Sequence, residues 1–255
     1  MKVEILRIVG FPLKAIYKIY CVIFFCVSMV FFYPFFKLLL GNKKNYPTAF
    51  KLMRVYAWCF HFFLFLPIRI ISAPKKLPEG PFLICPNHSS FFDIPTIYRI
   101  FKKYFTFVGK KEIEKWPLFR IFYTSGMNIL VDRDSNSGSI QSMRRMFSEV
   151  DMKHSLVIFP EGTITKNAPH LGPFRSGAFL IAIQKQIPII PVTFLTNYKR
   201  LERKGFLKGY AGPGFCDVII HPPVSTKGMT RKDLPELEKI IRSIIEKPFK
   251  ESIKS

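Results

Sequence analysis

Residues 87–93 read Asn-His-Ser-Ser-Phe-Phe-Asp. His88 carries an imidazole, a side chain able to serve as a base. Asp93, five positions on, is a carboxylate able to hold one imidazole nitrogen and leave the other free as a base. The same spacing fits a plainer arrangement: a helix start capped by Ser89 or Ser90, with Asp93 in the first turn and a surface histidine. Spacing alone does not separate the two. Three more blocks bear on the choice. MNILVDR ends at Asp132 and Arg133, FPEGT spans 159–163, and IPIIPV spans 187–192. A guanidinium suits bidentate phosphate binding. Gly162 lets backbone approach a ligand, and the Thr163 hydroxyl can donate to phosphate. Glu161 is an unexpected neighbour for an anion, and fits better as an orienter of Arg133 or of substrate hydroxyls.

These residues need a scaffold. From about residue 73, strand-like apolar runs (GPFLICPNH, YFTFVGKK, MNILVDR, HSLVIFPEG, IPIIPVTF, FCDVIIHPP) alternate with helical patterns (IPTIYRIFKK, EIEKWPLFRIFYTSG, SGSIQSMRRMFSEVD, PFRSGAFLIAIQKQ, TRKDLPELEKIIRSIIEKPF). Such alternation predicts an α/β fold, a mostly parallel central sheet flanked by helices. The His88, Arg133 and Glu161 blocks then fall at strands' carboxyl ends, where open α/β sheets place their sites, and IPIIPV lies in a strand of its own.

With the scaffold in place, the four blocks in order resemble the glycerolipid acyltransferase family, the lysophosphatidic acid acyltransferases, over residues 80 to about 225. The resemblance implies that His88 takes the proton from a glycerol hydroxyl and Asp93 orients it. The hydroxyl oxygen attacks an acyl thioester without an acyl-enzyme. Asn87, Lys110, Arg133, Glu161, Gly162 and Thr163 then become substrate-binding positions, with Lys110 and Arg133 near the acceptor phosphate and Lys111 adjacent. One departure stands out. The family continues FPEGTRS, whereas this chain reads FPEGTITKN, with Ile164 in place of arginine. Lys166 or Arg175 is the expected source of the missing charge. No GxSxG elbow is present, so the serines serve packing or capping. No metal-ligand spacing occurs, so no metal is expected. The implied substrates are a lysophospholipid and an acyl thioester, either acyl-CoA or acyl-carrier protein, with no bound cofactor. The altered residue after EGT keeps glycerol 3-phosphate and a lyso-aminolipid open as acceptors. A non-catalytic module that adheres to anionic membranes is the remaining alternative.

Composition points the same way. The 255 residues are 49 % hydrophobic and include 28 Phe, and 39 Lys and Arg against 17 Asp and Glu leave a net charge of +22. High apolarity with high positive charge favours an anionic membrane, where each basic residue near the surface contributes about 1 kcal/mol. Nucleic acid is not expected, because zinc-finger spacing and aromatic RNA-binding signatures are missing. Residues 19–36 form an uncharged run at the lower edge of spanning length, with Pro34 expected to bend its end. Residues 55–68 form a shorter run. The flanks of both runs are basic, so the positive-inside bias places no end outside. The chain is therefore read as two regions. A helical hairpin at 1–72 dips into one leaflet from the cytoplasmic side, with a spanning first helix over residues 19–36 as the alternative, and an α/β acyltransferase domain spans 73–255. The five cysteines, an odd number without CxxC, are expected as free buried thiols.

Overall fold

The protein, in a computed structural model, is described over residues 2–132, 136–204 and 209–252. Helix α1 (Lys2–Leu40) runs without interruption through Pro34, where a bend was expected. Asn42 accepts a hydrogen bond from the Lys44 N–H (3.0 Å) in the turn that follows. Helix α2 (Tyr46–Phe63) then begins with Pro47 in its first turn, a position that needs no N–H.

The chain next builds a seven-stranded sheet in the order β1-β7-β6-β2-β5-β3-β4. The strands are β1 (Ile68–Ser72), β2 (Leu83–Pro86), β3 (Phe105–Lys110), β4 (Ile129–Val131), β5 (Ser155–Val157), β6 (Ile189–Phe194) and β7 (Cys216–Ile220). Helices α3 (Asp93–Ile100), α4 (Arg120–Thr124), α5 (Asn136–Asp151), α6 (Gly177–Lys185) and α7 (Leu234–Ser252) flank them. The five strands from β6 to β4 are mutually parallel, and the β6–β7 pair is antiparallel. The expected mostly parallel sheet with flanking helices is thus present.

Strand periodicity divides the core in two. On β2, Ile84 faces a cluster with α1, α2 and α3, whereas Leu83 and Cys85 face a cluster with α5, α6 and α7. Every residue of β2 and β6 is buried, as expected of parallel strands covered on both faces. The N-terminal hairpin is the lid of one face. Phe36 meets Phe122 edge-to-face at 4.9 Å, and Phe60 meets Phe92 at 5.4 Å. His61, buried on α2, bonds both Ala57 O (2.8 Å) and Thr96 Oγ1 of α3 (3.1 Å).

Three local expectations change. Strand β1 lies inside the stretch 1–72 assigned to the hairpin and pairs with β7, so a boundary at residue 72 cuts the sheet. The single helix read over 112–126 is instead a 3-10 turn, Lys111–Lys115, and the short α4. Pro117 holds Trp116 extended (φ −90°, ψ 111°), which breaks the helix there. All five cysteines are free, yet Cys26 is exposed because it lies on the outward side of α1.

Candidate active site

Because the strands from β6 to β4 are parallel, the segments leaving β2, β5 and β6 emerge side by side. The segment after β2 carries His88. Its Nδ1 is 3.0 Å from Asp93 Oδ2. The same oxygen accepts the backbone N–H groups of Ser89 (2.7 Å) and Ser90 (2.8 Å). Oδ1 accepts from Asn197 Nδ2 (2.8 Å), which arrives from beyond β6. Asp93 is fully buried, and four donors converge on its two oxygens. With Nδ1 donating to Asp93, the lone pair lies on Nε2. Among the described residues, no hydroxyl or thiol hydrogen-bonds that nitrogen. The imidazole stacks on Phe159 with ring centroids 3.9 Å apart and planes 22° apart. That ring face also favours the imidazolium formed when Nε2 takes a proton.

The serines do not cap α3 directly. The N-cap residue is Phe92, which has no capping side chain. The carboxylate of Asp93 reaches back to the two preceding N–H groups instead, and Ser90 Oγ accepts from the Phe92 N–H (3.2 Å) while donating to Leu201 O (2.9 Å). One carboxylate therefore shapes the turn and orients the imidazole, and the expected serine cap does not form.

Glu161, after β5, differs from its expected role. Its Oε1 accepts the His88 N–H (2.8 Å) and its Oε2 the Gly172 N–H (2.7 Å). Burial pushes its carboxyl above the ordinary carboxylate value, opposed by those two N–H groups. It pins the His88 segment to the loop before α6. Asn87 also departs from a substrate role. Its Oδ1 accepts the Phe194 N–H (2.7 Å) and its Nδ2 donates to Phe194 O (3.3 Å), so the buried amide extends the β2–β6 ladder by one rung. The reason is positional: β2 ends at Pro86, and Asn87 supplies what a strand backbone would have supplied.

The remaining predicted positions surround this pair. Gly162 has φ +67°, a conformation that favours glycine, and its N–H donates to Phe159 O (3.0 Å). The Thr165 N–H donates to His88 O (2.9 Å), which brings the FPEGT loop against the His88 turn. Lys110 at the end of β3 pairs with Glu112, and Lys111 pairs with Asp132 (2.6 Å). Both pairs are exposed and weak enough to yield to a phosphate. The side chain of Arg175 is exposed and makes no hydrogen bond or ion pair among the described residues, while its N–H donates to Pro160 O (2.8 Å). Arg133 lies outside the described residues. Two contributors escaped the sequence reading. Asn197 stands 104 positions from Asp93, and Arg203 donates to Thr163 Oγ1 (2.7 Å) and Ile164 O (2.6 Å). Neither belongs to a motif, so nothing local marked them. Phe159 was visible within FPEGT, but as a strand-end apolar residue. His154 and His221 are bonded locally, to Glu149 Oε2 (2.9 Å) and Thr193 Oγ1 (2.8 Å).

An α/β sheet with a histidine–carboxylate pair at a strand's carboxyl end, its Nε2 open, defines a class equipped for general-base chemistry. Residues 69–195 match the Acyltransferase family model, and the chain belongs to that family. It is 30 % identical over 190 residues to the mouse 1-acyl-sn-glycerol-3-phosphate acyltransferase alpha, covering 72 % of this chain and 64 % of the relative. It is 33 % identical to the Cocos nucifera 1-acyl-sn-glycerol-3-phosphate acyltransferase, covering 83 % and 65 %. The Haemophilus influenzae enzyme of that name is 27 % identical, over 72 % and 73 %. The chain spans less than two thirds of the mouse and coconut relatives' lengths. The crystal structure of the 1-acyl-sn-glycerophosphate (LPA) acyltransferase PlsC from Thermotoga maritima superimposes with a TM-score of 0.76, covering 98 % of both chains at 19 % identity, a likeness of fold.

Proposed function

We propose that this protein transfers a fatty acyl group from an acyl thioester to the sn-2 hydroxyl of 1-acyl-glycerol 3-phosphate, giving phosphatidic acid. The observation that carries the reading is the His88–Asp93 pair, held by saturated hydrogen bonds while Nε2 stays open. His88 Nε2 takes the hydroxyl proton as the oxygen attacks the thioester carbonyl. The new C–O ester bond forms, the C–S bond breaks, and the departing thiolate receives the proton from His88. A thioester is already activated, so orientation and a base supply the catalysis. The names of the relatives support the acceptor. Acyl-CoA and acyl-carrier protein both deliver the same carbonyl, and both are anionic, which suits a chain of net charge +22.

The lipid acceptor reaches the site from a membrane. Helix α1 contains a segment, Leu13–Leu40, long and apolar enough to cross one. Its inner side packs on α2, where Tyr17 donates to Leu64 O (2.8 Å), and reaches the α/β domain through Phe25 on Phe119 and Phe36 on Phe122. Its outer side exposes Leu13, Val27, Val30, Phe31, Phe35 and Leu38. Contacts at Phe25 and Phe36 tie this helix to the α/β domain, which fits a helix held at the interface better than one crossing alone. This supports an α1–α2 hairpin embedded in one leaflet; the basic flanks of both apolar runs are what support a sheet on the cytoplasmic face.

The test is acyl transfer in detergent or vesicles, with acyl-CoA or acyl-carrier protein as donor. The acceptors are 1-acyl-glycerol 3-phosphate, glycerol 3-phosphate and a lyso-aminolipid. His88→Ala is expected to lower kcat by about 10²–10⁴-fold without altering the fold. Full activity in the variant would overturn the mechanism, and preference for another acceptor would redirect the substrate.

A further inference from the structure

The connection between β6 and β7 touches the site at three points. Asn197 donates to Asp93, Leu201 O accepts from Ser90 Oγ, and Arg203 Nη1 donates to Thr163 Oγ1 and Ile164 O. The third contact differs from the other two in kind. It holds a cation on two neutral oxygens, on the loop whose Thr165 N–H bonds His88 O. The nearest acid in sequence, Glu202, is engaged with Lys204 (2.6 Å) and the Tyr210 N–H (3.1 Å). Among the described residues no carboxylate lies within ion-pair distance of Arg203, and its Nε and Nη2 make no hydrogen bond.

A guanidinium offers five N–H donors in a rigid fork, and here one terminal nitrogen serves both contacts. Fixing such a long side chain costs rotamer entropy. No internal ionic contact offsets that cost, so the remaining face of the fork is ready for an outside anion. Thr163 Oγ1 accepts from Arg203, which leaves the hydroxyl proton free to donate to the same anion. Ile164 is buried and contributes its carbonyl alone. Lys166 and Arg175, the sequence-level substitutes for a charge at 164, are both exposed, and neither side chain is hydrogen-bonded to this loop.

We propose that Arg203, through Nε and Nη2, holds the phosphate of the lipid acceptor, with the Thr163 hydroxyl as a second donor. The inference rests on a phosphate-bearing acceptor as proposed above, and it makes the β6–β7 connection part of acceptor specificity. Arginine suits the task because it grips two phosphate oxygens at once.

The experiment compares 1-acyl-glycerol 3-phosphate with 1-acylglycerol, which lacks the phosphate, at a fixed acyl-CoA concentration. Arg203→Ala is expected to lower kcat/KM for the phosphorylated acceptor about 10–100-fold, mainly through KM, and to affect 1-acylglycerol far less. Arg203→Lys, a point charge without the fork, is expected to fall between. Thr163→Val, which removes the loop anchor but keeps the charge, is expected to show a smaller loss of the same selectivity. Equal loss on both acceptors would assign Arg203 a merely structural role and overturn the proposal, as would no change on either. Glycerol 3-phosphate binding, followed by phosphorus NMR line broadening, separates this inference from the acyltransferase reading. Binding by the wild-type chain that Arg203→Ala abolishes supports the phosphate site even if no acceptor turns over. Equal broadening by both proteins, or none with wild type, overturns it.

Discussion

The inner face of the N-terminal hairpin and the turn from Asn87 to Asp93 lie on one continuous body, yet they are held by opposite kinds of force. The hairpin face is apolar contact: Phe36, Phe50, Tyr56 and Phe60 are buried against sheet and helices. Such attraction is non-directional and scales with area, so it tolerates changes of similar volume. The turn holds little apolar area and depends on counted donors and acceptors. Asp93 accepts four hydrogen bonds, Glu161 two and Asn87 one while donating another. A buried polar group that loses its partner is costly, so each member can be replaced only by an equivalent donor or acceptor. The contrast teaches that the hairpin sets where the site stands and the hydrogen-bond count sets what it can do.

That contrast can be broken most sharply at Asp93. Asp93→Asn is nearly isosteric but turns an acceptor toward donors, facing an amide N–H₂ to N–H groups in one of its two orientations. It is expected to lower kcat by about 10²–10⁴-fold, read in the acyl-transfer assay, while a similar change of volume in the hairpin would pass almost unnoticed. The next effect belongs to the hairpin's inner face. Phe36→Ala is expected to cost about 3–5 kcal/mol of unfolding stability, measured by urea denaturation, with the chemistry per folded molecule preserved. On the outer face the same residue type behaves differently. Phe31→Glu should leave the urea midpoint nearly unchanged but weaken partitioning onto anionic vesicles about 10–100-fold, since Phe31 is 65 % exposed on the outer side of α1. A sedimentation assay with phosphatidylserine vesicles checks this, and an unchanged affinity would show that this face does not meet the bilayer.

The smallest expected effect is at His221, polar but away from the reaction. Burial holds its pKa down at about 4, from an ordinary 6.5. The unfolded chain therefore binds this proton below pH 6.5 and the folded chain only below about 4. Stability falls as pH drops through that window and levels off beneath it. His221→Gln should remove this part of the acid sensitivity in urea titrations between pH 7 and 4, with little change at neutral pH.

Much of the fold was legible because its signals are local. Apolar runs of strand length, helical periods between them and the basic flanks of residues 19–36 each concern neighbours in sequence. Where reading failed, a local rule was overridden or a partner was distant. Pro117 divided a helical pattern that periodicity alone joins, and β1 entered the sheet from within the segment assigned to the hairpin. At the site, His88 and Asp93 were visible as a pair, yet their spacing suited a helix cap equally well.

By itself the sequence determined the alternation of strands and helices, the basic apolar N-terminus, and four ordered blocks, three after strands and the fourth within one. All of these follow from composition and short-range spacing. The tertiary structure alone decided that Asn197 would hold Asp93, that Glu161 would hold the His88 N–H, that Asn87 would mend the β2–β6 ladder, and that Arg203 would cross to Thr163. The physical reason is the same in each case. Parallel strands bring together segments 40 to 107 residues apart. A hydrogen bond between such segments depends on ångström-scale register across the sheet, which leaves no period or spacing in the chain.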